Sequence, residues 1–255
     1  MTHSVGQDVK NISYSVLYIG QPELGLSREY LIKGLEDKDV QHYYKYMVES
    51  AKLMGSEKAE KEIKKEMKEA LEFEIKLANA STSREKTRDP NSWYNPTTVD
   101  QLVSFLGGKL PGFPENFRGY FNRLFKAGST DIEINDDEKI IVQDPDYMKK
   151  IAPVLKETEP KTIANFLGWR IYMSMVSKLN KAARDLSQEY IKALYGSAKA
   201  SPDWKRCLGA IGFNSESGGM VAAASSMYVR RYFKPGLCTK AIIILFVLFV
   251  KKIIH

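Results

Sequence analysis

The sequence predicts a mainly α-helical fold with a small β element, on three observations. Several segments repeat apolar residues every three or four positions, which is the helical period. Runs of β-branched residues are few and short, and Gly, Pro, Asn or Asp residues bound them. Basic and acidic residues are interleaved between the apolar positions, as on solvated helix faces. With 44% apolar residues in 255, the chain has enough material for a buried core.

The β element is predicted from three short runs. Val16 to Ile19 is apolar and ends at Gly20, so it is expected to be a strand followed by a turn. Strands are also predicted at 132–134 and 139–142, because the intervening Asn135 to Glu138 has good turn chemistry.

Amphipathic stripes predict the helices. In chain order they are expected at 39–54, 56–78, 99–106, 117–125, 147–155, 161–195, from 202 through Cys207, and 220–233. The segment 161–195 keeps helical phase throughout, with Pro160 in its first turn and Gly196 just past its end. It is predicted to be one long helix with a bend near Asn180.

The residues argue against a metal site, a nucleophile and a nucleic-acid interface. The histidines, His3, His42 and His255, are scattered, and Cys207 and Cys238 lack the close spacing of a cysteine zinc site. A zinc-peptidase HExxH and a Gly-x-Ser-x-Gly elbow do not occur in the sequence. The net charge of +7 is spread over the chain rather than clustered with exposed aromatic residues, so no nucleic-acid partner is expected.

The two ends of the chain differ from its middle. Met1 to Lys10 is polar, so neither a signal peptide nor a signal anchor is expected there. Ala241 to Val250 is wholly apolar, but ten helical residues rise only about 15 Å, half of a bilayer's hydrocarbon thickness. This segment is expected to adhere to a membrane at most, and not to span it.

Particular motifs resemble the neprilysin and endothelin-converting-enzyme family of zinc metallopeptidases. The most specific lie between Asn165 and Cys207: the pair Trp169-Arg170, the run Ala193 to Gly196 and the run Trp204 to Cys207. Gln21 to Leu26 also fits the family pattern. The resemblance covers 11–233, which leaves 1–10 as a non-matching tail and 234–255 as a divergent hydrophobic tail.

The resemblance implies that 11–233 is part of the helical, non-catalytic lid domain of an extracellular or type II plasma-membrane peptidase. In the family, zinc is held by an HExxH domain that this sequence does not contain. The chain is therefore expected to be inactive alone, and its partner to be the catalytic domain or a full-length sibling, with peptides as the family's substrates. The alternative is a non-catalytic peptide-binding or interaction module.

Individual residues carry further expectations. The resemblance implies that Cys207 forms a disulfide in full-length members, with a cysteine upstream of the matched region. Trp169 and Arg170 are expected to be structural, through packing and an internal ion pair. Asn11 and Asn79 each begin an Asn-x-Ser sequon and are candidate N-glycosylation sites.

Overall fold

A computed structural model describes residues 2–105, 116–128, 130–196, 202–210 and 220–233. The chain divides into two compact units, residues 1–198 and 199–255, which are described separately. In the first unit the strands are β1 (Thr2–Asp8), β2 (Asn11–Gly20), β3 (Asn95–Thr98) and β4 (Lys139–Val142). Its helices are α1 (Arg28–Leu31), α2 (Lys38–Leu53), α3 (Glu60–Ala80), α4 (Pro90–Trp93), α5 (Leu102–Phe105), α6 (Phe117–Ala127), α7 (Pro145–Glu157), α8 (Pro160–Met175) and α9 (Lys181–Tyr195). The prediction of a mainly α fold with a small β element is confirmed.

The four strands of the described residues form one sheet in the order β1-β2-β4-β3. β1 and β2 are an antiparallel hairpin, β2 and β4 run parallel with Leu17 opposite Ile140, and β3 and β4 are antiparallel. Leu17 and Ile19 face the main core, whereas Val16 and Tyr18 pack on the other face with Ile141. Alternate residues of one strand therefore serve two apolar clusters.

The N-terminal segment 1–10, which lies outside the range of the family motifs, forms strand β1 over Thr2–Asp8. Residues 2–8 are mostly polar and contain no apolar run, so the sequence pattern gives little indication of strand β1. Pairing with β2 provides the hydrogen bonds, and Asp8 closes the hairpin. The Asp8 carboxylate accepts hydrogen bonds from Lys139 Nζ (2.6 Å), Tyr94 Oη (3.0 Å) and the Lys10 amide (2.9 Å).

The strand expected at 132–134 is wrong. Both edges of β4 are occupied, by β2 on one side and β3 on the other, so no place for a further strand remains beside it. The backbone of Ile134 is satisfied differently. The Asn122 side chain of α6 accepts from its N–H (2.9 Å) and donates to its carbonyl (3.1 Å), which replaces a strand partner.

The helices of the first unit pack around a core that includes Tyr43, Leu71, Met148 and Trp169. α3 packs against α2, α7 and α8, and α9 packs against α2. Side chains cap several of these helices, with Asp37, Asn116, Asp144 and Asn180 each accepting a backbone N–H of the first turn. These caps fix where the amphipathic segments begin.

The long helix expected over 161–195 is two helices. α8 ends at Met175, a 3₁₀ turn follows (Val176–Lys178), and Leu179 is extended. Asn180 then caps α9 through Oδ1, which accepts the Ala183 N–H at 3.0 Å. The break lies where the bend was expected. It lets α8 pack against α3 while α9 packs against α2.

The second unit contributes two described helices, α10 (Asp203–Ala210) and α11 (Val221–Tyr232). Both helices lie where the sequence predicts helices, from 202 through Cys207 and at 220–233. Trp204 is 65% exposed and Cys207 is exposed on α10. The tail at 234–255, with Cys238, the apolar run 241–250 and His255, lies outside the described residues. Within the described part of the chain, no helix combines the length and apolar character that crossing a bilayer requires.

Candidate functional site beneath the Gln21–Leu26 loop

A buried carboxylate lies under the loop 21–26, which connects β2 to α1. Glu74 of α3 has no exposed surface, and a buried carboxylate is costly unless hydrogen bonds compensate it. Its Oε1 accepts the Gly25 N–H at 2.5 Å, and its Oε2 accepts the Tyr43 hydroxyl at 2.9 Å. Burial raises the pKa of Glu74, while these two donors and the positive charge of Arg170 act in the opposite direction.

Tyr43 and Trp169 extend the hydrogen bonds into the core. Trp169 Nε1 donates to Tyr43 Oη at 2.6 Å, and Tyr43 in turn donates to Glu74, so the three groups form a chain. Burial raises the pKa of Tyr43 well above its ordinary value, which keeps the hydroxyl as a donor. The Trp169 ring packs against Tyr43, Tyr46 and Tyr172, with ring centroids 5.1–5.7 Å apart. We call Gly25, Tyr43, Glu74, Trp169 and Arg170 the loop-anchoring cluster.

Further hydrogen bonds hold the loop at other points. Arg170 Nη2 donates to the Glu23 carbonyl at 3.1 Å. The Gln21 side chain pairs with the backbone of Thr82, donating to its carbonyl (3.1 Å) and accepting its N–H (2.9 Å). Arg28 Nε donates to the Ser81 carbonyl at 3.0 Å. The loop is therefore held to α8 and to the residues after α3.

Gly25 has no room for a side chain. A Cβ on this residue would lie 2.0 Å from Tyr43 Oη, 2.7 Å from Arg170 Nη1 and 3.0 Å from Met173 Sδ. A Cβ essentially never comes as close to a non-bonded atom as the first two of these distances, and Tyr43 is held by hydrogen bonds to Glu74 and Trp169. The motif at 21–26 thus needs glycine at this position because its backbone touches the cluster directly.

An open pocket of about 360 Å³ lies beside the loop. The loop and residues 81–84 form its walls, and the charged groups around it are Glu23, Arg28, Glu29 and Arg84. The hydrogen bond from the Ser27 hydroxyl lowers the pKa of Glu29 most, followed by a backbone hydrogen bond. The positive charges of Arg84 and Arg28 lower this pKa further. The walls of the pocket therefore contain arginine and glutamate side chains close to one another.

A sequence profile of the N-terminal region of peptidase family M13 matches residues 1–243. The chain belongs to peptidase family M13. Rabbit (Oryctolagus cuniculus) neprilysin is 32% identical over 235 residues, which are 90% of this chain and 30% of that protein. Drosophila melanogaster neprilysin-2 is 34% identical over 207 residues (80% of this chain, 25% of that protein), and bovine endothelin-converting enzyme 1 is 30% identical over 207 (80% and 26%).

Solved structures show that the fold is that of M13 peptidases. The Mycobacterium tuberculosis zinc metalloprotease Zmp1 in its open state aligns with a TM-score of 0.77 at 20% identity, over 94% of this chain and 35% of that chain. PepO from Lactobacillus rhamnosis aligns with a TM-score of 0.63 at 14% identity, over 89% of this chain and 35% of that one. The chain thus spans about a quarter to a third of the length of the M13 proteins that it matches. The profile match extends beyond the 11–233 range expected from the motifs, at both ends.

The described residues do not fit the family's zinc. His3 lies on β1 beside the rings of Tyr120 and Phe121, and His42 lies on α2. Across the described residues, no three His, Cys, Asp or Glu side chains come together as a metal site would require. No step of zinc chemistry is therefore assigned to these residues.

The structure places the predicted residues at separate points. Trp169 is buried as expected, and Arg170 acts electrostatically on the buried Glu74, so both belong to the loop-anchoring cluster. Asn11 is exposed at the turn of the β1–β2 hairpin, and Asn79 is exposed in the last turn of α3. Cys207 has no disulfide partner among the described residues.

Sequence reasoning missed three members of the cluster: Gly25, Tyr43 and Glu74. The signal for Glu74 was weak, because α3 is rich in Glu and Lys and its buried carboxylate looks like its exposed neighbours. Gly25 lies within the Gln21–Leu26 motif, and nothing in the motif indicates the buried partners of its backbone.

Proposed function

We propose that the chain is the lid region of an M13 zinc metalloendopeptidase and does not hydrolyse peptides by itself. The observation that carries this proposal is the M13 match over 1–243 in a sequence that contains no HExxH. The loop-anchoring cluster supports a structural role, because its polar groups are engaged with one another and with the backbone rather than turned toward a substrate. In the longer protein, this region encloses the peptide-binding cavity and the zinc lies elsewhere.

Zinc binding tests this proposal. The purified chain is dialysed against Zn²⁺ and its metal content is measured, with full-length rabbit neprilysin as the reference. We expect no stoichiometric zinc on the chain and one catalytic zinc on the reference. Stoichiometric zinc that survives dialysis against buffer would contradict the proposal.

A peptide-binding module is the second candidate, and the pocket beside the loop favours it. Arg28 and Arg84 both lie on this pocket, and guanidinium groups recognise carboxylates well. In this function the chain binds the free C-terminal carboxylate of a peptide. Calorimetric titration with a tetrapeptide and with its C-terminal amide separates the outcomes: binding of the acid alone, lost in Arg84→Ala, supports this function, and absence of heat for both excludes it.

The proposal includes an extracellular or plasma-membrane location, as the resemblance to the family implies, and a mouse relative carries the name membrane metallo-endopeptidase-like 1. Asn11 and Asn79 then carry N-linked glycans, since both are exposed and both sequons end in serine. A mobility shift after glycosidase treatment, lost stepwise in Asn11→Gln and Asn79→Gln, checks this for secreted material. Cys207 forms a disulfide only in a longer protein, which non-reducing peptide mapping of that protein would reveal.

A further inference from the structure

The net positive charge of the chain is concentrated after Glu216, which corrects the even spread expected from the sequence. Residues 1–216 contain 32 basic and 31 acidic residues, so their charges nearly cancel. Residues 217–255 contain six basic residues and no acidic residue. The six are Arg230, Arg231, Lys234, Lys240, Lys251 and Lys252. This part of the chain therefore suits an anionic partner.

Helix α11 places two of these basic residues beside exposed apolar side chains. Arg230 and Arg231 lie in its last turn, and no charged residue precedes them in the helix. Met227, Tyr228 and Tyr232 are 71%, 57% and 62% exposed. A helix without charge over most of its length is normally covered by apolar material, so an apolar partner is expected here as well.

The aromatic rings of α11 lie next to its arginines. Tyr228 and Tyr232 are four residues apart, and their ring centroids are separated by 5.0 Å. The Arg231 guanidinium lies 5.7 Å from the centroid of the Tyr232 ring. In the part of the chain that the structure describes, neither Arg230 nor Arg231 forms an ion pair with an acidic side chain. Their positive charge is therefore available to an anion outside the chain.

The sequence after α11 repeats this combination of basic and apolar residues. Ala241 to Val250 is wholly apolar, with Lys240 before it and Lys251 and Lys252 after it, and it lies outside the described residues. Basic residues beside an apolar segment are typical of chains that bind the surface of a membrane. Apolar burial and attraction to anionic lipid then act together, and stable attachment needs two such contributions.

A nucleic acid or a second copy accounts for less of this composition. A nucleic acid would engage the arginines, but its phosphates offer no apolar environment to Met227 or to the run 241–250. A second copy would bring together two segments that are both basic, and like charges oppose such pairing. The surface of an anionic bilayer offers negative charge and an apolar layer at once.

We propose that α11 and the basic, apolar segment after it attach the chain to a bilayer surface that contains anionic lipid. The apolar side chains enter the boundary between headgroups and acyl chains, while the arginine and lysine side chains stay among the lipid phosphates and carboxylates. This attachment goes beyond the proposed function and does not depend on it, because it uses residues at the C-terminal end of the chain and no zinc chemistry.

Vesicle flotation with the full chain tests the attachment. Binding is measured to vesicles of phosphatidylcholine with about 30% phosphatidylserine and to vesicles of phosphatidylcholine alone. We expect binding to the anionic vesicles to be about tenfold or more stronger than to the neutral ones. Raising the salt from about 0.1 M to about 1 M should remove most of this difference, because salt screens the charges.

A charge-reversal pair tests the contribution of α11. Arg230→Glu with Arg231→Glu should weaken binding to the anionic vesicles about tenfold or more. Lys149→Glu with Lys150→Glu is the matched control, because it reverses two adjacent exposed basic residues of α7 and gives the same net charge. This control should change vesicle binding less than about twofold.

A second pair tests the apolar contribution. Met227→Glu should weaken binding to the anionic vesicles about tenfold, because it places a carboxylate among the apolar side chains of α11. Met54→Glu is the matched control, since Met54 is 65% exposed and follows α2. The lipid and salt comparisons use the unaltered chain, so they decide the question even where a variant misfolds.

Several results would overturn the attachment: no binding to anionic vesicles, equal binding to both kinds of vesicle, or equal losses in a variant and its matched control. Binding of duplex DNA without vesicle binding would assign the segment to a nucleic acid instead. A dimer that Met227→Glu dissociates, again without vesicle binding, would assign it to a second copy. None of these results depends on zinc, so a failure here is distinguishable from a failure of the proposed function, which the metal content decides.

Discussion

Replacing Gly25 with alanine tests whether the loop packs on the cluster as tightly as the structure shows. The new methyl group would lie 2.0 Å from Tyr43 Oη, so either the loop or the tyrosine must move by more than 1 Å. Tyr43 is fully buried and its hydroxyl is bonded to both Glu74 and Trp169, so movement of the ring breaks these bonds. Movement of the loop breaks the Gly25–Glu74 bond instead.

The size of the effect follows from these two costs. Overpacking a buried site costs about 1–3 kcal/mol. Leaving a buried donor or acceptor unpaired costs about 1–3 kcal/mol more. We therefore expect Gly25→Ala to lower the free energy of unfolding by about 2–6 kcal/mol, which for a domain of this size lowers the melting temperature by roughly 10 °C.

The assay is thermal unfolding followed by near-UV circular dichroism, which reports the packing of Trp169 and its tyrosine neighbours. Gly168→Ala is the matched control, because this helical glycine is exposed and has space for a Cβ. It should be stabilised by up to about 1 kcal/mol, since alanine is the better helix former. If Gly25→Ala melts within a degree or two of the wild type, the loop does not pack on the cluster as described.

Three further changes have defined outcomes. Tyr43→Phe leaves Glu74 Oε2 and the Trp169 indole N–H unpaired in the core and should cost about 2–4 kcal/mol in chemical unfolding. The control Tyr44→Phe, which loses one exposed hydrogen bond, should cost under about 1 kcal/mol, and equal losses would contradict the cluster. Asn122→Ala removes both partners of the Ile134 backbone and should destabilise by about 1–3 kcal/mol, a loss that an unchanged melting temperature would rule out. The Lys139 ammonium, the Lys10 amide and Tyr94 lower the pKa of Asp8 from 3.8 to about 2. A carboxylate whose pKa is lowered in the folded state stabilises the fold at pH values above its pKa in the unfolded chain. The difference in stability between the wild type and Asp8→Asn should therefore have its full size above pH 4 and shrink as the pH falls toward 2. A difference that stays constant in thermal melts from pH 2 to 6 would exclude this ion pair as its cause.

Local patterns were sufficient to predict most helices. The apolar residues of α2, α3 and α6 that recur at the helical period are also the residues that the fold buries, because each helix turns one face to the same core. The break between α8 and α9 was harder to see, because the apolar residues keep their phase across it. The Asn180 cap was the available signal, since asparagine is a strong N-cap and a weak residue within a helix.

Long-range pairing is what the sequence could not provide. A strand at 132–134 was a reasonable local inference, but which segment lies beside β4 depends on β2 and β3, which come from distant parts of the chain. The contacts of the loop-anchoring cluster also join residues that are far apart in the sequence. Glu74 becomes a buried acceptor only when Gly25 and Tyr43, 49 and 31 residues away, are brought to it.

Peptide hydrolysis by the purified chain is the most direct test of the central claim. The chain is incubated with an internally quenched fluorogenic peptide and Zn²⁺, with and without a chelator, beside full-length rabbit neprilysin. We expect chelator-sensitive cleavage by the full-length enzyme and no cleavage above the buffer rate by this chain. Chelator-sensitive cleavage by the pure chain would contradict its assignment as a non-catalytic lid region.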